Sequence, residues 1–275
     1  MEPVERTCRS AAAGRTAVRR KFGGYKPEKP KIVRTAEVHE PEAVKVFRDA
    51  WERYRTPTWI STIPGSFRMA CDLVGDFKAS AHDVGLMMVA ATDLKAGRGT
   101  DYANKVGLLI TAFINKGSDS TYELSTHHLP VPPRELGRQN TKNLVIRGNN
   151  LDAVGTYMES GTIIVYGNTS NNTGAGMGGG TILVVGDVTD HAGLNMENGK
   201  IVVMGGFGKS LGSGMKGGSI TAYGGPKTPL DDGEYVGIHS TGGEIYIYGH
   251  YPYSFELSKP RGGKIYYQGR LIVDK

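Results

Sequence analysis

Short apolar runs recur at a fixed interval through the second half of the chain. The runs at 144–146, 163–165, 182–185 and 201–204 are rich in β-branched residues, and glycine follows each of them within two residues. Such runs are typical of strands rather than helices. Successive runs begin 19 residues apart. A fixed period of this size predicts a solenoid, in which each turn buries its apolar face by stacking on the next turn.

Glycine and methionine repeat in register with these runs. Glycine at a predicted corner indicates a backbone that needs positive φ or has no room for a Cβ atom. We expect the methionines, and the residue before each glycine of the second series, to point into the core. The series are Gly148, Gly167, Gly186, Gly205 and Gly224; Gly155, Gly174, Gly193 and Gly212; Gly161, Gly180, Gly199 and Gly218; and Met158, Met177, Met196 and Met215.

Strand alternation separates a predicted inner face from a predicted outer face. Residues four and two positions before each strand-ending glycine are apolar, from Leu144 and Ile146 onward, and are expected in the core. The outer face is more apolar than a solvated sheet face, and such a patch usually marks an interface. The outer residues are Val145, Arg147, Ile164, Tyr166, Leu183, Val185, Val202, Met204, Thr221 and Tyr223. The predicted interface residues are Tyr166, Tyr223, Tyr246, Tyr248 and Tyr266.

The period breaks once, between Gly224 and Gly249, where residues 226–231 form a predicted insertion at a corner. The last units are atypical, with Glu256 in place of a corner glycine and tyrosine-rich strands. Terminal repeats commonly depart from the consensus because they cap the stack. The tyrosines near the end of the chain are therefore consistent with a cap or a protein contact.

The first half of the chain has helical periodicity instead. Apolar positions predict helices over 41–55, 80–95 and 102–115, whereas 60–70 is ambiguous. The chain is therefore interpreted as a mainly β protein with an N-terminal helical region. The predicted divisions are a basic flexible tail at 1–35, a small mainly helical region at 36–118, a Pro-rich linker at 119–140 and a β-helix at 141–275.

Composition narrows the cellular context. The chain has two cysteines among its 275 residues, which indicates neither a disulfide framework nor a metal cluster and favours a reducing compartment. The first residues lack the apolar region of a secretory signal, and no run is long enough to span a membrane, so a cytoplasmic location is expected.

The charge is concentrated at the start of the chain. Residues 1–34 contain ten Lys and Arg against three Glu, whereas the whole chain carries a net charge of +6, so the rest is close to neutral. The basic segment is either a flexible tail or an arm that docks on an acidic partner. Without a basic folded face, nucleic-acid binding is not expected.

Two glycine-rich segments share letters with nucleotide-binding motifs. Residues 206–210 read Gly-Phe-Gly-Lys-Ser, but a phosphate-binding loop needs glycine five residues before Gly208, where Val203 lies in a predicted strand. Residues 174–179 contain the glycines of a dinucleotide fingerprint, but a strand rather than a helix is predicted to follow. Both segments are therefore interpreted as solenoid corners.

Ionisable residues form no recognisable catalytic or metal-binding pattern. The pair His127 and His128 has no further ligand nearby in sequence and predicts a surface turn, and Asp190 with His191 predicts a solvated loop tip. The insertion carries Asp231, Asp232 and Glu234, which could hold a cation but are more typical of an exposed loop. We therefore expect no catalytic residues, no metal site and no directly bound cofactor.

The repeated G-x-x-M-x-x-G, with strand runs such as residues 174–187, resembles the GXGXG family that shares the C-terminal domain of glutamate synthase large subunits. The same family contains the C-type subunits of formylmethanofuran dehydrogenase and of the bacterial formyltransferase/hydrolase complex. The resemblance covers about residues 141–269. It implies a right-handed parallel β-helix that scaffolds neighbouring catalytic subunits and holds no catalytic residues of its own.

The even, methionine-containing repeat looks closer to these C-type subunits, which makes a formylmethanofuran-processing complex the leading expectation. The alternative is a stand-alone subunit of a glutamate-synthase-type enzyme, whose partners, a glutaminase and a synthase subunit with FMN and Fe–S clusters, would supply the chemistry. A third class is a free β-solenoid that binds carbohydrate. That class needs a row of carboxylates or aromatics along one exposed face.

Overall fold

The structure, a computed structural model, describes residues 39–55, 62–94, 99–227, 236–250 and 260–275. Predictions that concern the basic tail, the acidic insertion at 231–234 and Glu256 lie outside these residues. The helices are α1 (Glu42–Arg55), α2 (Ile63–Val74), α3 (Ala81–Ala90), a 3-10 turn (Ala91–Asp93) and α4 (Thr100–Lys116).

Local capping explains where two of the helices begin. At α3, the Ser80 hydroxyl accepts a hydrogen bond from the Asp83 N–H while the Asp83 carboxylate accepts one from the Ser80 N–H, a reciprocal capping box. The ambiguous stretch at 60–70 contains the start of α2. Thr62 caps this helix by accepting a hydrogen bond from the Gly65 N–H, and Pro64 fits its first turn because that position needs no N–H donor.

The predicted parallel β-solenoid is confirmed, with about seven turns of about 19 residues. All strands of the described chain lie in one sheet in sequence order; β1 to β8 pair in parallel and β9 returns antiparallel. The strands are β1 (Thr121–Ser125), β2 (Asn143–Arg147), β3 (Thr162–Tyr166), β4 (Thr181–Val184), β5 (Lys200–Val203), β6 (Ser219–Ala222), β7 (Thr241–Ile247), β8 (Gly262–Tyr267) and β9 (Arg270–Asp274).

The inner face of the sheet forms the core, as the alternation predicts. The register stacks like residues in successive turns, so that Ile163 lies beside Ile182 and Ile182 beside Ile201. The four repeat methionines and these isoleucines are fully buried. The residues before the second glycine series, Val154, Thr173, Ala192 and Leu211, are also buried.

The repeat glycines have the two predicted backbone roles. Gly174 has φ of +66°, and a Cβ atom there would lie 2.5 Å from the Cδ1 of Ile201. The strand-ending Gly205 instead sits so close to the turn below that a Cβ atom would lie 2.7 Å from the carbonyl oxygen of Gly186. The stacking of the turns therefore leaves no room for a side chain at these corners.

The solenoid begins earlier than predicted. Residues 119–140, interpreted from their prolines as a linker, contain β1, which pairs in register with β2 and buries Tyr122 and Leu124 in the alternating manner of the later strands. Arg134 then forms a parallel bridge with Asp152 in the next turn. The first turn carries its prolines at a corner, where proline's missing N–H is tolerated.

Helix α4 packs against this first turn. The Thr111 hydroxyl donates to the carbonyl of Glu135, at 3.3 Å, and accepts from the Gly137 N–H, at 3.0 Å. The Asn115 side chain donates to the carbonyl of Arg138. The helical region therefore satisfies backbone groups that the first turn would otherwise leave exposed at the end of the stack. None of the helices in the described ranges is long and apolar enough to cross a bilayer.

Candidate functional site

A column of large side chains runs along the outside of the sheet, one from each successive turn. Strand pairing places Arg147 beside Tyr166, and the backbone hydrogen bonds from Val185, Met204, Tyr223 and Tyr248 to the preceding turns continue the column. We call this column the outer ladder: Arg147, Tyr166, Val185, Met204, Tyr223 and Tyr248. Its five uncharged members are 43–49% exposed. These side chains cover no part of the described core.

A second column lies beside the outer ladder on the same face. It consists of Val145, Ile164, Leu183, Val202, Thr221, Tyr246 and Tyr266, all partly exposed. Together the two columns form what we call the outer face. Along each strand the side chains of this face alternate with buried ones and therefore point away from the core. The stability of the core does not explain why this face is apolar.

Aromatic contacts order the outer face. The rings of Tyr223 and Tyr248 stack with centroids 5.3 Å apart and an angle of 16° between their planes. Tyr246 and Tyr266 stack at 4.6 Å and 7°. At the other end, the guanidinium of Arg147 lies 4.7 Å from the ring centroid of Tyr166. Stacked rings and a cation over a ring hold these side chains in fixed orientations before any partner binds.

The five predicted interface tyrosines all lie on this face. Tyr166, Tyr223 and Tyr248 are about half exposed, whereas Tyr246 and Tyr266, in the second column, are less exposed. The Tyr246 hydroxyl donates to the Glu244 carboxylate at 2.7 Å. This hydrogen bond, with smaller effects of burial and of the Glu244 charge, raises the pKa of Tyr246 to about 12. The role of these residues in binding stays a prediction.

A polar cleft of about 320 Å³ lies at the corner that follows the strands, and no ladder residue lines it. Its side chains hold adjacent turns together: Asn168 accepts a hydrogen bond from the N–H of Asp187, which accepts one from the N–H of Gly206. Asp190 accepts one from the N–H of Lys209. Asn168, Asp187 and Asp190 therefore already have structural partners.

An ion pair at this cleft explains the titration of Asp187. The Lys227 ammonium lies 2.7 Å from the carboxylate. Burial alone would raise the pKa of Asp187, but the hydrogen bonds from Lys227 and Gly206, with the Lys227 charge, outweigh it and lower the pKa below its usual value. A carboxylate held ionised in this way is suited to cross-linking turns and is a poor proton donor.

The two glycine-rich segments are solenoid corners, as predicted. The N–H groups of Gly206, Phe207, Gly208 and Lys209 all donate to atoms of neighbouring turns, and the Phe207 side chain is buried. A phosphate loop binds its ligand with free N–H groups of this kind. In residues 174–179, which lead into β4, the four glycine N–H groups donate to adjacent turns, and those of Ala175 and Met177 donate within their own turn.

The two histidine-containing pairs lie in turns, as the sequence indicates. His127 and His128 lie in an exposed turn, where a ring nitrogen of His128 is 3.0 Å from the carbonyl oxygen of Met88. Asp190 and His191 lie in a corner turn, and His191 has φ of 62°. Among the residues that the structure describes, no group of three His, Cys, Asp or Glu side chains could hold a metal ion.

Sequence reasoning missed a buried charged network at the junction with α4. The Glu135 carboxylate lies 2.9 Å from the Arg138 guanidinium and accepts a hydrogen bond from the Thr156 hydroxyl, and both charged side chains are 7% exposed. Arg138 also lies 4.7 Å from the ring centroid of Tyr157. The 19-residue pattern gives no signal for this network, because it depends on the helix that covers the first turn.

No protein-family model, curated protein or solved structure matches the chain.

Proposed function

We propose that the chain is a non-catalytic scaffold subunit of a multisubunit enzyme, and that the outer face is its protein-binding surface. The observation that carries this proposal is the outer ladder, in which Tyr166, Val185, Met204, Tyr223 and Tyr248 are each nearly half exposed on a rigid sheet. Monomeric proteins rarely expose contiguous apolar surface of this kind without a binding role.

The energetics favour binding by this face. Covering the exposed half of one tyrosine removes on the order of 100 Å² from water, which is worth about 2.5 kcal/mol at 25 cal/mol per Å². Three such tyrosines would supply several kcal/mol against the entropic cost of association. Because the stacking between Tyr223 and Tyr248 and the cation over Tyr166 already fix the rings, little side-chain entropy remains to be lost.

The polar groups of the solenoid support a scaffold over an enzyme. The carboxylates of the corner cleft accept hydrogen bonds from backbone N–H groups of the next turn, and Asp187 is also paired with Lys227. A general acid or base must instead exchange a proton with a substrate. The structure thus explains these residues without a reaction.

The resemblance of the repeat to the GXGXG family suggests which complex the scaffold serves. A formylmethanofuran-processing complex, either a dehydrogenase or a formyltransferase/hydrolase, is the leading assignment. The alternative is a glutamate-synthase-type enzyme, in which partner subunits carry FMN and Fe–S clusters. In both cases the chemistry belongs to the partners.

Carbohydrate binding is a second candidate, favoured by the two stacked tyrosine pairs on the outer face. Sugar rings pack on exposed aromatic rings. This candidate predicts that a polysaccharide quenches tyrosine fluorescence in the isolated chain. The scaffold predicts no such effect.

Purification of the tagged chain from its native host tests the proposal. We expect stoichiometric catalytic subunits to co-purify: an amidohydrolase-like chain supports the first complex, and a flavin and iron–sulfur chain supports the second. The variant Tyr166→Glu/Tyr223→Glu should fold normally but lose partners. Val89→Glu is the control, because Val89 is 61% exposed and lies on α3, outside the ladder. Recovery of the chain without any partner would overturn the proposal.

A further inference from the structure

The residues of the outer ladder, read from the first turn to the last, are complementary to the same residues read from the last turn to the first. Strand pairing extends the column by Ser125 beside Arg147 at one end. At the other end Gln268, in the turn that follows β8, donates its N–H to the carbonyl of Ile247 and takes the position next to Tyr248. Read in turn order, the eight residues are Ser125, Arg147, Tyr166, Val185, Met204, Tyr223, Tyr248 and Gln268.

We infer that the outer face packs against the outer face of a second copy of this chain, about a two-fold axis parallel to the strands and central in the column. The inference rests on the proposed function only in treating the outer face as a binding surface; the second copy occupies this face in the isolated chain, and catalytic subunits would bind it in place of the second copy. Such an axis reverses the order of the turns and places each column opposite the same column of the second copy. Val185 then faces Met204 of the second copy, and Tyr166 faces Tyr223.

The ends of the ladder match as well. Arg147 faces Tyr248 of the second copy, which pairs a cation with an aromatic ring, and Ser125 faces Gln268, which pairs two polar side chains. Because the contact is isologous, each of these pairs occurs twice. A closed dimer of this kind leaves no ladder surface free to recruit a third copy.

The second column obeys the same rule from β1 to β8, whereas Leu271, opposite Tyr266 on β9, has no counterpart across this axis. Under the same axis Leu183 faces Val202 and Ile164 faces Thr221, so the centre of the contact is aliphatic. Val145 faces Tyr246. Beyond these, the Glu123 carboxylate faces the Tyr266 hydroxyl of the second copy, an acceptor opposite a donor.

The polar column at the starts of the strands brings no like charges together. Lys200 faces Thr181, Glu244 faces Asn143 and Lys264 faces Thr121. An axis along the stack would instead place this polar column over the ladder, and would bury Lys200 against apolar side chains. The complementarity therefore selects one of the two ways in which the faces can meet.

In-register parallel pairing from β1 to β8 aligns the columns so that they can meet along their length. The stacked tyrosine planes, 7° and 16° from parallel, present ordered rings at one end of this surface. Eight strands span about 34 Å and five residues about 16 Å, which gives roughly 500 Å² per copy. The total is at the lower limit of stable interfaces, so we expect a reversible dimer with a micromolar Kd.

Sedimentation velocity of the full-length chain alone, from about 1 to 100 μM, tests the inference. We expect a monomer–dimer equilibrium. Tyr166→Glu/Tyr223→Glu places like charges opposite each other twice and should weaken the dimer at least about 100-fold. Tyr166→Lys/Tyr223→Glu places opposite charges at the same two positions and should retain the dimer, with an affinity that falls as salt rises. Val89→Glu, on the exposed side of α3, should leave the dimer unchanged.

Disulfide trapping tests the register. A mixture of the Val185→Cys and Met204→Cys chains should form a cross-linked dimer under mild oxidation, above the background set by the unmodified chain and by Val89→Cys. Circular dichroism confirms that each variant is folded.

The outcomes separate this inference from the proposed function. A lone chain that stays monomeric at 100 μM overturns the dimer, and if catalytic subunits still co-purify from the host, the scaffold stands and the face binds them instead. A dimer that both charge variants leave intact uses another surface and also overturns the inference. A dimer without any co-purifying enzyme overturns the scaffold alone.

Discussion

The two faces of the solenoid sheet have similar residue types and opposite environments. Ile201 and Val202 are neighbours in β5, yet the first is fully buried against the isoleucines of adjacent turns and the second is partly exposed. On the inner face, apolar residues are required by the stacking of the turns. On the outer face no described element covers them, so their apolar character points to contacts between molecules.

This difference means that stability and assembly can be altered separately. Substitutions on the inner face leave cavities or buried charges in a packed core, whereas substitutions on the outer face remove atoms that are already partly in water. The predictions that follow compare the two environments, beginning with the largest expected effect on folding.

The strongest test concerns the buried ion pair of Glu135 and Arg138, where charges enter the interior of the described chain. Arg138→Ala leaves the Glu135 carboxylate buried without its ion pair, and we expect a loss of about 3–5 kcal/mol in the free energy of unfolding. The double variant Glu135→Gln/Arg138→Met should lose much less, because no charge is then left unpaired. Urea denaturation measures both. Equal losses in the two variants would show that packing, and not the charge, determines the effect.

A matched pair in β5 tests the comparison directly. Ile201→Ala removes buried methyl groups next to Ile182 and Ile220, and should lower the free energy of unfolding by about 2–5 kcal/mol. Val202→Ala, one residue further along the strand, should cost less than about 1 kcal/mol when measured on the monomer. Similar urea midpoints for the two variants would contradict the assignment of faces.

Substitutions at corner residues with positive φ should change the free energy of unfolding by smaller amounts. Gly193 has φ of +70°, and an added Cβ atom would meet the side chain of Ile220, so we expect Gly193→Ala to cost about 2 kcal/mol. His191 also has a positive φ, of 62°, but lies partly exposed at the corner. His191→Gly should therefore be close to neutral in thermal unfolding. A cost at Gly193→Ala matched by a stabilisation of the same size in His191→Gly would mean that φ alone, and not the inward Cβ, sets the cost.

The features that repeat along the chain could be predicted from the sequence alone. The alternation within each strand identifies Tyr166 and Tyr223 as outward-facing and the methionines as buried, because both follow from a period of two within a period of 19. The first turn was missed because Tyr122 and Leu124 give only a short alternation, and the prolines that follow them favour a linker. The network of Glu135 and Arg138 depends on a helix distant in sequence, and no local pattern reports such a contact.

The smallest expected effect is a pH-dependent contribution of the outer face itself. The hydrogen bond to Glu244, more than burial, raises the pKa of Tyr246 to about 12, so the folded protein favours the neutral phenol. The resulting stabilisation is fully present below the unfolded pKa of about 10 and is lost as the pH rises from about 10 to about 12. Because Tyr246 is partly exposed, we expect roughly 0.5 kcal/mol after solvent screening.

Thermal unfolding of the wild type and of Tyr246→Phe between about pH 9 and pH 12 measures this contribution. The advantage of the wild type should shrink across that interval. Glu244→Gln removes the acceptor charge and should move the loss to lower pH. A constant difference between wild type and Tyr246→Phe across the interval would mean that the hydrogen bond on the outer face contributes nothing to folding, and that this face is stabilised by its aromatic stacking alone.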